Sequence, residues 1–122
     1  MKILLIDDNP IDLMLNERIV RATAPEADIL KFKSGVEALD YLTQTTTELI
    51  DIILLDIKMP FMNGFQLLEE MEKLDEGQFK ATYMVSSSID PIDIEQSKKS
   101  SLVKGFIEKP LSTQKLEKFV KG

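Results

Sequence analysis

Residues 52–64 read Ile-Ile-Leu-Leu-Asp-Ile-Lys-Met-Pro-Phe-Met-Asn-Gly. The stretch opens on a continuous apolar run, Ile52 to Leu55, and meets an acid at Asp56. A run without polar alternation suits a strand buried on both faces, and such strands belong to parallel sheets covered by helices. Residues 2–7 have the same form and end in the pair Asp7-Asp8. Shorter strand candidates lie at 27–32, 81–85 and 105–108.

Helical patterns fill the intervals. Ile11, Leu15, Ile19 and Ala22 share one face of a helix that must end before Pro25. Ser34 can cap a helix carrying Val36, Leu39 and Leu42. Gly64 precedes a helix with Leu67, Leu68, Met71 and Leu74. Asp90-Pro91 reads as a cap followed by a helix-starting proline, and Ser112 opens a last helix with Leu116, Phe119 and Val120. Thr45-Thr46-Thr47 reads as a loop. Five strands alternating with five helices predict an α/β doubly wound fold.

Composition narrows the chemistry. The 122 residues fit one domain, and 43% of them are apolar, enough for a single packed core. The net charge of -6 disfavours direct nucleic-acid binding, which needs a basic surface for phosphates. Cysteine and histidine are both absent. That removes thiolate chemistry, Ser-His-Asp catalysis and imidazole metal ligands. A metal site here must be built from oxygen, which points to magnesium, calcium or manganese. No apolar run approaches the ~20 residues that span a bilayer, and the apolar start is too short for a signal peptide. The expectation is a soluble cytoplasmic protein with no membrane association.

Ligands of open parallel sheets bind beyond the carboxyl ends of the strands. The first strand delivers Asp7 and Asp8 there, the third Asp56, the fourth Ser86, and the fifth Lys109 followed by Pro110. Clustered carboxylates repel one another unless a cation sits among them. A hard cation, carboxylates, an ammonium and a hydroxyl are the parts that phosphoryl transfer uses.

In these residues the chain resembles the response-regulator receiver family of two-component signalling, the CheY-like superfamily. The resemblance spans the whole chain in register. It rests on Asp7-Asp8, on Asp56-Ile57-Lys58-Met59-Pro60-Phe61-Met62-Asn63-Gly64, on Val85-Ser86-Ser87, and on Gly105-Phe106-Ile107-Glu108-Lys109-Pro110. It implies a flavodoxin-like (βα)5 three-layer sandwich with a parallel sheet of order 2-1-3-4-5, and one receiver domain over residues 1–122 with no output domain among them. Asp56 would be the phosphoacceptor. Asp8, Asp56 and the backbone carbonyl of Lys58 would bind Mg²⁺ directly, with Asp7 acting mainly through a water. Lys109 would pair with Asp56 and then with the phosphoryl oxygens. Ser86 would close on the phosphoryl group with Phe106 following inward, and Lys109-Pro110 would be a cis peptide. Ser86 stands where threonine is common, and Ser87 is the alternative switch hydroxyl.

The implied partners are a histidine kinase or histidine phosphotransfer domain as donor and a downstream protein target. The histidine-free chain cannot itself be the donor. A monomer or weak dimer is expected. Two other functions fit these residues less well. A Mg²⁺-dependent aspartyl-phosphate phosphatase would often carry a second acid two residues after the nucleophile, where Lys58 stands. A flavin or nucleotide module would want a Gly- or hydroxyl-rich loop after the first strand, where Asp7-Asp8-Asn9-Pro10 would repel a phosphate.

Overall fold

The computed structural model describes residues 1–44, 49–74, 76–88 and 90–120. The loop reading at 45–47 lies outside them, as does the packing expected of Val120. In chain order the elements are β1 (Lys2–Ile6), α1 (Pro10–Thr23), β2 (Asp28–Phe32), α2 (Gly35–Gln44), β3 (Ile52–Asp56) and α3 (Gly64–Glu72). There follow a 3-10 turn (Glu76–Gln78), β4 (Thr82–Ser86), α4 (Pro91–Lys98), β5 (Val103–Glu108) and α5 (Thr113–Val120). The strands form one parallel sheet of order β2-β1-β3-β4-β5, as the resemblance implies.

The apolar runs work because side chains alternate across the sheet. Leu4, Ile6, Ile53, Leu55 and Met84 face one way and pack with Ala38 and Leu42 of α2 and Leu67, Leu68 and Met71 of α3. Ile3, Leu5, Leu54, Tyr83, Val85 and Ile107 face the other way and meet Leu13 and Val20 of α1 and Leu116 of α5. Both faces of β3 and β4 are therefore fully buried. Each face carries one tyrosine–phenylalanine pair, Phe32–Tyr41 at 5.2 Å on the α2 side and Tyr83–Phe119 at 4.6 Å on the α5 side.

Capping follows the side chains available. Asn9 caps α1 by accepting from the backbone N–H of Ile11 and Asp12, Ser34 from Glu37, Asp90 from Ile92, and Ser112 from Lys115. Asn63 and Gln66 form a reciprocal capping box at α3.

One expectation is overturned. The face of α1 turned to the sheet carries Leu13, Asn16, Val20 and Thr23. Ile11, Leu15 and Ala22 are exposed and Ile19 is half-buried. The two stripes share the helical period, and two polar residues disguise the inner one. Thr23 satisfies its hydroxyl by donating to the carbonyl of Ile19, which lets it be buried cheaply. Val36 of α2 is likewise exposed, and Leu74 lies beyond the end of α3.

Candidate functional site

The carboxyl end of the sheet gathers Asp7, Asp8 and Asp56, with one carboxylate oxygen of each within 4.8 Å of the others. Asp7 follows β1 directly, and its Oδ1 accepts from the backbone N–H of Asn9 at 2.9 Å. It is 2% exposed, Asp56 is 6% exposed, and Asp8 faces solvent. Asp56 ends β3, where the register sets it beside Val85 of β4.

Lys109 arrives from beyond β5. Its backbone N–H donates to the carbonyl of Ser86 at 2.7 Å, and the Lys109–Pro110 peptide is cis. Its ammonium reaches Asp7 Oδ2 at 2.8 Å, Asp12 Oδ2 at 3.0 Å and Asp56 Oδ1 at 3.4 Å. Asp12, in the first turn of α1, was not singled out from the sequence. An acid in a first helical turn reads as a response to the helix dipole, and its pairing with a residue 97 positions away has no local signal.

Ser86 closes β4 opposite Glu108 and is buried, with its Oγ accepting from the N–H of Ser88 at 3.2 Å. Ser87 is exposed past the strand end. Phe106 is half-buried on β5, in register with Met84 and packed on the α2–α3 side. Lys58 is exposed in the loop after Asp56. That loop folds back tightly, with the N–H of Gly64 donating to the carbonyl of Ile57 at 2.8 Å. A Cβ at Gly64 would stand 2.5 Å from the carbonyl oxygen of Asp56, so only glycine fits there. Phe61, at the loop tip, has a φ of 66° and is 97% exposed.

Charge dominates the cluster. Two carboxylate oxygens no more than 4.8 Å apart repel by at least about 3.5 kcal/mol at an effective dielectric constant of roughly 20. Burial pushes the Asp56 carboxyl up to about 7, and the Asp7 charge adds to this while Lys109 opposes it. Burial pulls the Lys109 ammonium down, but hydrogen bonds to Asp7 and Asp12 and the charge of Asp56 outweigh it, and the net shift is upward. Three acids around one ammonium leave negative charge in excess. Oxygens on opposite sides of an octahedral Mg²⁺ are roughly 4.1 Å apart. The three acids therefore fit a small hard cation after slight contraction, or with one acid bridged by water.

Residues 3–121 match the sequence profile of the family described as "Response regulator receiver domain". A two-component response regulator of Arabidopsis thaliana is 30% identical over 125 residues, covering 95% of this chain and 80% of the relative. The hybrid signal transduction histidine kinase L of Dictyostelium discoideum is 26% identical over 98% of this chain, which spans only 7% of the kinase's length. The crystal structure of a response regulator receiver protein from Dyadobacter fermentans superposes with a TM-score of 0.85 at 29% identity, covering 99% of this chain and 95% of that one. Among the described residues no helix is long and apolar enough to cross a membrane.

Proposed function

Since the chain belongs to the response regulator receiver family, the switch domains of two-component signalling, we propose that it accepts a phosphoryl group on Asp56. The donor is a phosphohistidine on a histidine kinase or a phosphotransfer domain. It lies outside these residues, which contain no histidine. A carboxylate oxygen of Asp56 attacks phosphorus in line, the P–N bond to the donor imidazole breaks, and an aspartyl phosphate forms.

The observation that carries this reading is the Lys109 ammonium, 3.4 Å from Asp56 Oδ1 inside a three-acid cluster. There it can meet the charge that grows on the transferring oxygens. Asp8, Asp56 and the Lys58 carbonyl would hold Mg²⁺ directly, and Asp7 through a water. Bound there, the ion would keep Asp56 ionised near neutral pH and offset the charge of the phosphoryl oxygens. Asp7 holds Lys109 and, through its bond from Asn9, fixes the start of α1.

The output follows from Ser86 and Phe106. The Ser86 hydroxyl turns from its contact with Ser88 to donate to a phosphoryl oxygen, and space opens beside β5 for the Phe106 ring to turn inward. Phosphorylation shifts the equilibrium because only the turned state offers that hydrogen bond. The altered surface lies on α4, β5 and α5, where a downstream protein would bind.

The test is intact mass after incubation with phosphoramidate and Mg²⁺. The wild type should gain one phosphoryl group, and chelation of the metal or Asp56→Asn should abolish the gain. Undiminished labelling of Asp56→Asn would refute the assignment.

A further inference from the structure

Lys109 is held by more acid than transfer to Asp56 requires. Its side chain is 13% exposed, and of its three carboxylate partners Asp56 is the most distant, at 3.4 Å against 2.8 Å for Asp7 and 3.0 Å for Asp12. Asp12 stands apart from the three-acid cluster and is fixed from a separate element. Its backbone N–H donates to the Asn9 cap at 3.2 Å, which sets the first turn of α1 and points the carboxylate at Lys109. Asp12 is more open to solvent than Lys109 and also lines a groove of about 490 Å³ with Leu15, Ile19, Ser87 and Leu111.

We propose that Asp12 is a positioning residue that holds Lys109 back from Asp56 until phosphorylation. An ammonium has three N–H donors, and here two of them donate to Asp7 and Asp12, while Asp56 stands 3.4 Å away as an ion-pair partner. To move closer to Asp56 and onto the phosphoryl oxygens, Lys109 must give up one of these two hydrogen bonds. Asp7 is buried, and its Oδ2 would lose its partner at high cost, whereas the more open Asp12 can turn to water. The Asp12 contact is therefore the one that breaks. It stabilises the unphosphorylated arrangement alone, and its loss is part of the barrier to transfer.

Removing it should speed the reaction, because the ground state loses an interaction that the transition state lacks. A merely structural role for Asp12 would have the opposite sign, since a disturbed α1 would slow transfer. The inference rests on Asp56 being the phosphoacceptor.

The experiment measures phosphorylation rates of the full chain with phosphoramidate and Mg²⁺ by quenched intact mass, for wild type, Asp12→Asn and Asp12→Glu. Asp12→Asn should react about 3- to 10-fold faster, as expected for one partly exposed charged hydrogen bond. Asp12→Glu should return toward the wild-type rate. Mg²⁺ affinity by calorimetry should be the same in wild type and Asp12→Asn, because Asp12 lies outside the metal cluster. An Asp12→Asn rate equal to or below wild type, with Asp56 still labelled, overturns the role of Asp12 alone. A faster rate accompanied by tighter Mg²⁺ binding also overturns it, since the metal would then account for the gain. Labelling that persists in Asp56→Asn removes the phosphoacceptor reading and this inference with it.

Discussion

Replacing Asp56 by asparagine should stabilise the protein at neutral pH in the absence of divalent ions, although it removes the reactive group. The Asp56 carboxyl releases its proton near 7 in the fold, against an ordinary 3.8. Between those values the unfolded chain has lost the proton and the folded chain keeps it. The folded state then binds more protons, so its stability falls as pH rises through that window and levels off above it. The cost is about 1.4 kcal/mol per pH unit, about 4 kcal/mol in full. Relaxation of the site and water penetration offset part of this, leaving roughly 2 kcal/mol. At about 2.1 cal/mol/K per residue of unfolding entropy, that is a Tm difference of about 8 °C. Thermal melts of wild type and Asp56→Asn from about pH 4 to pH 8, with EDTA, would test it. The difference should be near zero at pH 4 and reach its full value by pH 8. Mg²⁺ should narrow it by relieving the wild type. A difference that does not vary with pH, or an Asp56→Asn variant less stable at pH 8, would refute the electrostatic reasoning.

Two further substitutions test the loop around Asp56. Phe61→Gly should gain about 0.5–1 kcal/mol and a few degrees in Tm, because an exposed ring at a φ of 66° loses backbone strain and gives up little packing. A lower melting temperature would show that the ring makes a stabilising contact. Gly64→Ala should cost about 2–3 kcal/mol and slow phosphorylation, because the added methyl meets the Asp56 carbonyl and the Ile57 backbone. Unchanged stability and rate would mean that the loop yields without moving Asp56.

The sheet and its rim were legible because the signals are local. An apolar run that ends in Asp56, or in Asp7-Asp8, places an acid at a strand end with little ambiguity. The position of Ser86 followed from Tyr83-Met84-Val85 reading as strand, and the exposed Ser87 lies one residue past β4. What failed depends on tertiary partners. The apolar stripe Ile11–Leu15–Ile19 is as periodic as the true inner face, and only the sheet decides between them. Asn16 and Thr23 can be buried because of what surrounds them, which composition does not encode. Asp12 became visible only when the fold brought Lys109 to it.

The ring pairs have a practical consequence. The chain has no tryptophan and two tyrosines, one packed on each side of the sheet. Tyr41 leans on Phe32 and Tyr83 on Phe119, so the two phenols sit in separate chiral environments. Near-ultraviolet circular dichroism of Tyr41→Phe would then report on the α5 side alone, and that of Tyr83→Phe on the α2 side. Gly105 lets Phe119 sit this close, since a Cβ there would stand 2.8 Å from the ring. A signal on β5 that moves α5 would change the spectrum of Tyr83 and leave that of Tyr41 unaltered, giving the switch a label-free optical readout with an internal control.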